Sequence, residues 1–227
     1  FSGVKSAYAF TSDPTREKLI DTARAAAAAL QGDAPQAETP FSLRAYETPV
    51  GIPFSSIDNA KRIALLRDTV KAAKSVSDEV TQVIAGYTDK LQRVWIWNTE
   101  GLAVTDERPR TRSYVHAIAA RDGEAQESFE GPGCCRGFEA YKETIDLAEA
   151  GRTAARTAAL MLNAPECPAG RVPVVIDGGF GGVIFHEACG HSLEATSVAR
   201  GNSEFCGKLG QKIAADCVSA MDDGTLA

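Results

Sequence analysis

Residues 80–130 read VTQVIAGYTDKLQRVWIWNTEGLAVTDERPRTRSYVHAIAARDGEAQESFE. Apolar and polar residues alternate over 80–87, 93–98, 102–105, 114–120 and 125–129. Asn, Gly and Asp residues separate these runs, as between the strands of an antiparallel meander. Trp95 and Trp97 share one face of the second run, and Val94 and Ile96 take the other. Gly131-Pro132-Gly133 closes the block.

Outward from this block the period changes from two to that of a helix. Upstream, Ile63, Leu66, Val70 and Ala73 are spaced 3, 4 and 3, which predicts a helix with one apolar face. Residues 31–54 hold Pro35, Pro40, Pro49 and Pro53 with little periodicity and are read as an extended connector. Before them, Asp13-Pro14 starts a helix that runs through 25–29 to a stop at Gly32. Val4, Tyr8 and Phe10 share parity, as on a short strand. Downstream, Phe138, Tyr141, Ile145, Ala148, Ala155, Ala159 and Leu162 form the stripe of one long helix ended by Asn163 and Pro165. Helices and an antiparallel sheet in separate runs define an α+β class. The expected organisation is an N-terminal α+β domain over 1–163, followed over 164–227 by a strand, a glycine-rich turn and a metal-binding helix.

The chemistry lies in that second region. Residues 172–176 are apolar and predict a short strand, and Asp177-Gly178-Gly179-Phe180-Gly181-Gly182 predicts a turn. The next nine residues, VIFHEACGH, predict a buried helix that carries two of the chain's three histidines and a carboxylate. Burying an ionised Glu187 beside His186 and His191 is costly unless a divalent cation compensates. The glycine run lacks the Lys-Ser/Thr of a phosphate loop.

The spacing is H-E-x-x-x-H, one residue longer than the zinc helix H-E-x-x-H. On a regular α-helix an i, i+5 pair diverges by about 140°. A one-residue π-bulge near Gly190 returns both imidazoles to one face. The plain alternative is two ordinary histidines on a buried helix. Glu194 is placed to support a histidine rather than to ligate, Cys189 reads as a structural thiol, and His116 reads as an ordinary sheet residue.

Composition narrows the function classes. The chain has 227 residues, 24 Lys+Arg against 30 Asp+Glu, and a net charge of -6. An acidic balance argues against direct nucleic-acid binding. No apolar run reaches the roughly 18–20 residues of a bilayer span. Six cysteines without a CxxC pair suit reduced thiols in the cytoplasm better than a disulfide framework.

From Cys167-Pro168-Ala169-Gly170 through Pro173-Val174-Val175, Gly182-Val183, His186-Glu187-Ala188, Gly190-His191 and Leu193-Glu194, the chain resembles the TldD/PmbA family. The likeness continues through Gly201, Ser203, Phe205, Gly207, Gly210 and Asp222-Asp223-Gly224-Thr225. It is motif-dense after about residue 165 and looser upstream. The intact H-E-x-x-x-H places it on the TldD-like side, since the PmbA/TldE-like partner lacks that motif. The resemblance implies a zinc-dependent peptidase that acts on unfolded peptides or flexible segments and matures peptides. By it, His186 and His191 are zinc ligands and Glu187 is the general base. It also implies a PmbA/TldE-type subunit or a second copy as partner. The family's other label, modulator of DNA gyrase, reflects genetics more than a binding chemistry. TldD-like proteins are longer and take their third zinc ligand from a cysteine in the C-terminal half. Phe1 opens the chain and Ala227 ends it, so an internal fragment lacking that half is expected. The competing reading is a catalytically silent peptide-binding or partner subunit.

Overall fold

The computed structural model describes residues 5–30, 40–178 and 181–222. The chain divides into two compact units, Phe1–Ala164 and Pro165–Ala227.

In the first unit the four shorter runs expected between 80 and 120 merge into one long hairpin. Strand β2 (Val80–Trp97) pairs antiparallel with β3 (Leu102–Arg121) from Val80 opposite Ala119 to Trp97 opposite Ala103. The breaks expected near 88–92 and 106–113 do not occur. Alternation continues there with Pro109, Thr111 and Ser113 on the inner face, buried in line with Val115, Ala117 and Ala119. The Thr111 and Ser113 hydroxyls are satisfied by the Tyr141 hydroxyl, at 2.9 and 2.6 Å. Period-two burial matters to a strand; hydrophobicity is only its usual sign.

Asp122 and Gly123 have φ of 54° and 89°, and form the two-residue turn that sends β4 (Glu124–Glu130) back along β3. The short β5 (Gly133–Cys134) pairs with Thr111 and Arg112 on the same edge. The rest of that edge is taken by β1 (Ser42–Glu47), parallel to β3 from Leu102 to Glu107. This corrects the connector reading of 31–54 for its described part. The strand is exposed along its whole length, and the prolines around it outweighed the short alternation of Phe41, Leu43 and Ala45 in the connector reading. The sheet is therefore five-stranded, mostly antiparallel, with helices in separate runs, and the α+β class stands.

Helix α1 (Arg16–Leu30) follows Asp13, whose carboxylate accepts the Thr15 N–H at 2.9 Å; its expected stop at Gly32 lies outside the described residues. No strand forms at Tyr8 and Phe10, which are exposed and stack on each other instead; Val4 lies outside the described residues. Without a paired neighbour, matching parity has no ladder to join.

Helix α2 (Asn59–Lys74) is capped by Asp58, which accepts the Lys61 N–H at 2.8 Å. The predicted stripe holds in part: Ala73 is fully buried and Leu66 packs against the core, but Ile63 is 47% exposed and Thr69, off the stripe, is fully buried. Beside Ile63, Arg62 reaches inward to Asp89 at 2.7 Å and to the Phe54 carbonyl at 2.9 Å.

The long helix expected after residue 138 is two helices, α3 (Ala140–Glu143) and α4 (Leu147–Met161). Asp146 breaks it, because its extended backbone and carboxylate, accepting the Glu149 N–H at 2.8 Å, make a fresh N-cap. Leu147, Gly151, Ala154, Ala155 and Ala158 face inward. A Cβ on Gly151 would stand 3.0 Å from the Thr69 carbonyl, so α2 and α4 pack backbone to backbone. Together with Ala73, Val80, Val115, Ala117 and Ala119 these residues form the core, on the helix-covered face of the sheet.

Glu139 ties the loop before α2 to α3. It is 4% exposed, and its carboxylate accepts the N–H groups of Ile52 at 2.7 Å and Gly137 at 3.0 Å. Burial alone pushes its pKa up, but the backbone N–H donors of Ile52, Glu139, Gly51 and Gly137 outweigh this and hold it below the usual 4.5. A depressed carboxylate stabilises the fold fully above its unfolded pKa, and this stability is lost as pH falls through the lower folded value. Glu139→Gln is therefore expected to lower the melting temperature at neutral pH. The gap from wild type should narrow as melts are run toward about pH 3. A gap that is constant with pH would show that the carboxylate's charge is not what holds the loop.

In the second unit the strand predicted over 172–176 does not form, and Val172, Val174, Val175 and Ile176 are all exposed. A strand exists only through a neighbour's hydrogen bonds, and among the described residues no segment pairs with this one.

Candidate metal centre

The helix that follows is built from three different windings. Helix α5 (Gly182–Phe185) passes into a π-helix over His186–Gly190 and then into a 3₁₀ turn over His191–Leu193; α6 (Ala195–Ala199) follows. The His191 N–H bonds to the His186 carbonyl, an i→i+5 link that carries the extra residue of the H-E-x-x-x-H spacing. Both imidazoles consequently lie on one side, with ring centroids 4.5 Å apart and planes at 66°.

Gly190 allows this for a reason other than backbone freedom. Its φ and ψ of -57° and -53° are ordinary helical values. What it provides is space, since a Cβ there would stand 3.3 Å from His186 Nδ1. Gly181 acts likewise at the start of the helix, where a Cβ would fall 2.2 Å from the Asp177 carbonyl oxygen. The expectation of a glycine-rich turn over 177–182 is covered only in part, because residues 179 and 180 lie outside the described set.

His186, Glu187 and His191 each offer one donor atom, and the three atoms lie within 4.8 Å of one another. Glu187 Oε2 is 3.8 Å from His191 Nε2. Glu194 Oε1 lies 2.8 Å from the other ring nitrogen, Nδ1. That contact raises the His191 pKa, and the charge of Glu187 adds to it. A histidine held by a carboxylate through Nδ1 presents Nε2 outward as a ligand, the usual support of a metal-bound imidazole. Two imidazoles and a carboxylate suit a borderline divalent cation such as zinc, so the donor set fits.

The helix is not buried as the sequence reading expected: His186, Glu187 and His191 are all exposed. Val183–Phe185 supply an apolar lead-in, but Ile184 and Phe185 remain 58% and 44% exposed. Among the described residues the second unit has too little packed apolar material to cover a whole helix, and only one face finds neighbours. Phe185, Cys189 and Leu193 on that face line a cavity with Phe205, Ile213 and Val218, so Cys189 points away from the three donors. Cys206 Sγ is turned to the Val198 carbonyl at 3.2 Å, and the described donor cluster contains no cysteine. His116 lies on β3 beside Glu127, 2.9 Å from its carboxylate, outside the cluster.

Sequence comparison bears on what such a cluster is for. Residues 52–162 match the PmbA/TldA metallopeptidase central domain, and residues 169–227 match the C-terminal domain of the same family. The chain belongs to the PmbA/TldD family. It is 31% identical over 178 residues to a Haemophilus influenzae protein named metalloprotease TldD homolog, covering 77% of this chain and 37% of that protein. It is 30% identical over 220 residues to a Methanothermobacter thermautotrophicus metalloprotease, covering 96% of this chain and 48% of the relative. The chain thus spans less than half the length of these relatives. Two crystal structures of proteins named modulators of DNA gyrase share the fold. The one from Thermotoga maritima has a TM-score of 0.67 at 22% identity, covering 86% of this chain and 43% of its own. The one from Bacteroides thetaiotaomicron has a TM-score of 0.68 at 15% identity, covering 94% and 50%. The family is a metallopeptidase family, which gives the His-Glu-His cluster of this member a chemical context. Among the described residues no helix is long and apolar enough to cross a membrane.

Proposed function

We propose that the full-length protein is a zinc-dependent peptidase that hydrolyses peptide bonds in unfolded peptides or flexible segments and serves peptide maturation. The observation that carries this reading is the π-turn that aims His186 and His191 to one side with Glu187 between them. In this reading His186 and His191 hold the metal, and Glu194 fixes the orientation of His191. When bound, zinc supplies Lewis-acid polarisation of the scissile carbonyl and acidifies water. Glu187 follows His186 directly, so its carboxylate stands beside the ligands, where it can take a proton from the attacking water and return it to the leaving amine. The exposed helix and the bare glycine backbone before it leave room for an extended chain to approach. We place the protein in the cytoplasm, with its six free cysteines reduced, and working with a PmbA/TldE-type subunit or a second copy.

The test is hydrolysis of an unstructured peptide by the full-length protein, lost on chelation and restored by zinc. Zinc binding without any cleavage would instead favour a catalytically silent peptide-binding subunit of the same family.

A further inference from the structure

On the β2–β3 hairpin, Thr88 stands opposite Arg112 and Lys90 stands opposite Arg110. Their side chains alternate with the buried Pro109, Thr111 and Ser113, so they occupy the other face of the sheet, and all four are exposed. Like charges set directly opposite on neighbouring strands repel. Among the described residues no carboxylate pairs with Lys90 or Arg110. Three carboxylates of the hairpin are engaged with other cations: Asp89 with Arg62, Glu107 with Arg93, and Asp106 with Arg108. Among the described residues Lys90, Arg110 and Arg112 make no ion pair at all.

These cations line an open concavity together with Gly131, Gly133, Cys134 and Cys135. The glycines bring this segment close to β3. A Cβ on Gly133 would stand 2.9 Å from the Thr111 carbonyl, and one on Gly131 would stand 3.2 Å from Arg112 Nη2. Unpaired guanidinium groups beside a wall of glycines and two small cysteines leave room for an anion.

We propose that this concavity binds an acidic stretch of extended polypeptide, with carboxylates at alternate positions meeting Arg110 and Arg112. Residues two apart on a strand are separated by roughly 6.8 Å, the same repeat as alternate side chains of an extended peptide. Guanidinium groups bind carboxylates through paired, charge-assisted hydrogen bonds. Lys90 adds a third positive charge across the strand, and the Thr88 hydroxyl adds a neutral donor. A long polyanion such as a nucleic acid meets the repulsion of a chain with net charge -6, whereas a short acidic segment is held by local contacts. The site belongs to the first unit and does not rest on the metal-centre reading.

The test is the fluorescence anisotropy of a labelled Glu-Thr-Glu-Thr-Glu peptide with the full-length protein in chelator, so that cleavage does not consume the probe. Saturable binding that weakens with salt is expected, along with a loss of about tenfold or more in Arg110→Gln and in Lys90→Glu. Lys90→Glu turns the opposed like charges into an attractive pair, so its melting temperature should be unchanged or higher. Lost binding in a protein that melts normally then reports the site and not the fold. Arg110→Gln supplies the same answer should Lys90→Glu fold poorly. The proposal is overturned by an absence of binding, by equal binding of the Gln-Thr-Gln-Thr-Gln peptide, or by tighter binding of oligothymidylate. It is overturned equally by an unchanged Kd in both variants.

Discussion

Glu187→Gln in the full-length, zinc-loaded protein is expected to reduce cleavage of an unstructured peptide by about 10²–10⁴-fold while leaving bound zinc unchanged. That range is what a positioned general base contributes. Glutamine keeps the size and hydrogen-bonding capacity of the side chain and removes its basicity. The fold should not suffer, because Glu187 is exposed and its charge contact is a 3.8 Å approach to His191. Cleavage and metal content must be read on the same sample. Cleavage at the wild-type rate would remove Glu187 from the role of base. Loss of zinc would make it a ligand, consistent with its place in the three-donor cluster, and the assignments would then be redrawn.

The second large effect concerns the metal itself. Replacing His186 and His191 together by alanine is expected to leave the full-length protein without stoichiometric zinc, measured by elemental analysis after dialysis. A catalytic zinc is held by three protein ligands, and removing two of them leaves no site. Both side chains are exposed, so the melting temperature of the metal-free double variant should match that of metal-free wild type. Zinc retained at one equivalent would place the metal elsewhere and would leave the convergence of the two rings without a function.

How far the sequence could be read differs from one element to the next. The hairpin was legible in 80–87 and 114–120, where apolar residues mark the buried parity, and illegible around 109–113. There Pro109, Thr111 and Ser113 fill the same buried face with residues that do not look apolar, and Tyr141, distant in sequence, satisfies the hydroxyls. Asp146 is a capping residue in plain sight, with Glu149 three positions on, but the apolar stripe running through it from Tyr141 to Ala155 hid the break. Strand β1 carried only the short alternation of Phe41, Leu43 and Ala45, and its pairing with β3 is a backbone affair between segments about 60 residues apart. At the candidate site the i, i+5 spacing was enough to require a π-turn, since no regular helix aims such a pair at one point. Glu194 was legible as a supporting residue from its place three positions after His191.

By itself, then, the sequence determined the local matters: the α+β class, the Asp122-Gly123 turn, the caps at Asp58 and Asp146, and the winding that gathers His186, Glu187 and His191. Each follows from residues within a few positions of one another, whose geometry short-range sterics and hydrogen bonds dictate. The tertiary structure alone decided the parallel partner of β3, the burial of Thr69 on α2 and the backbone contact at Gly151. It also decided which cations on the hairpin remain without acids. Those depend on which distant segment arrives as a neighbour: Arg62 of α2 meets Asp89 of β2, and Asp89, Asp106 and Glu107 are engaged by arginines other than Arg110 and Arg112.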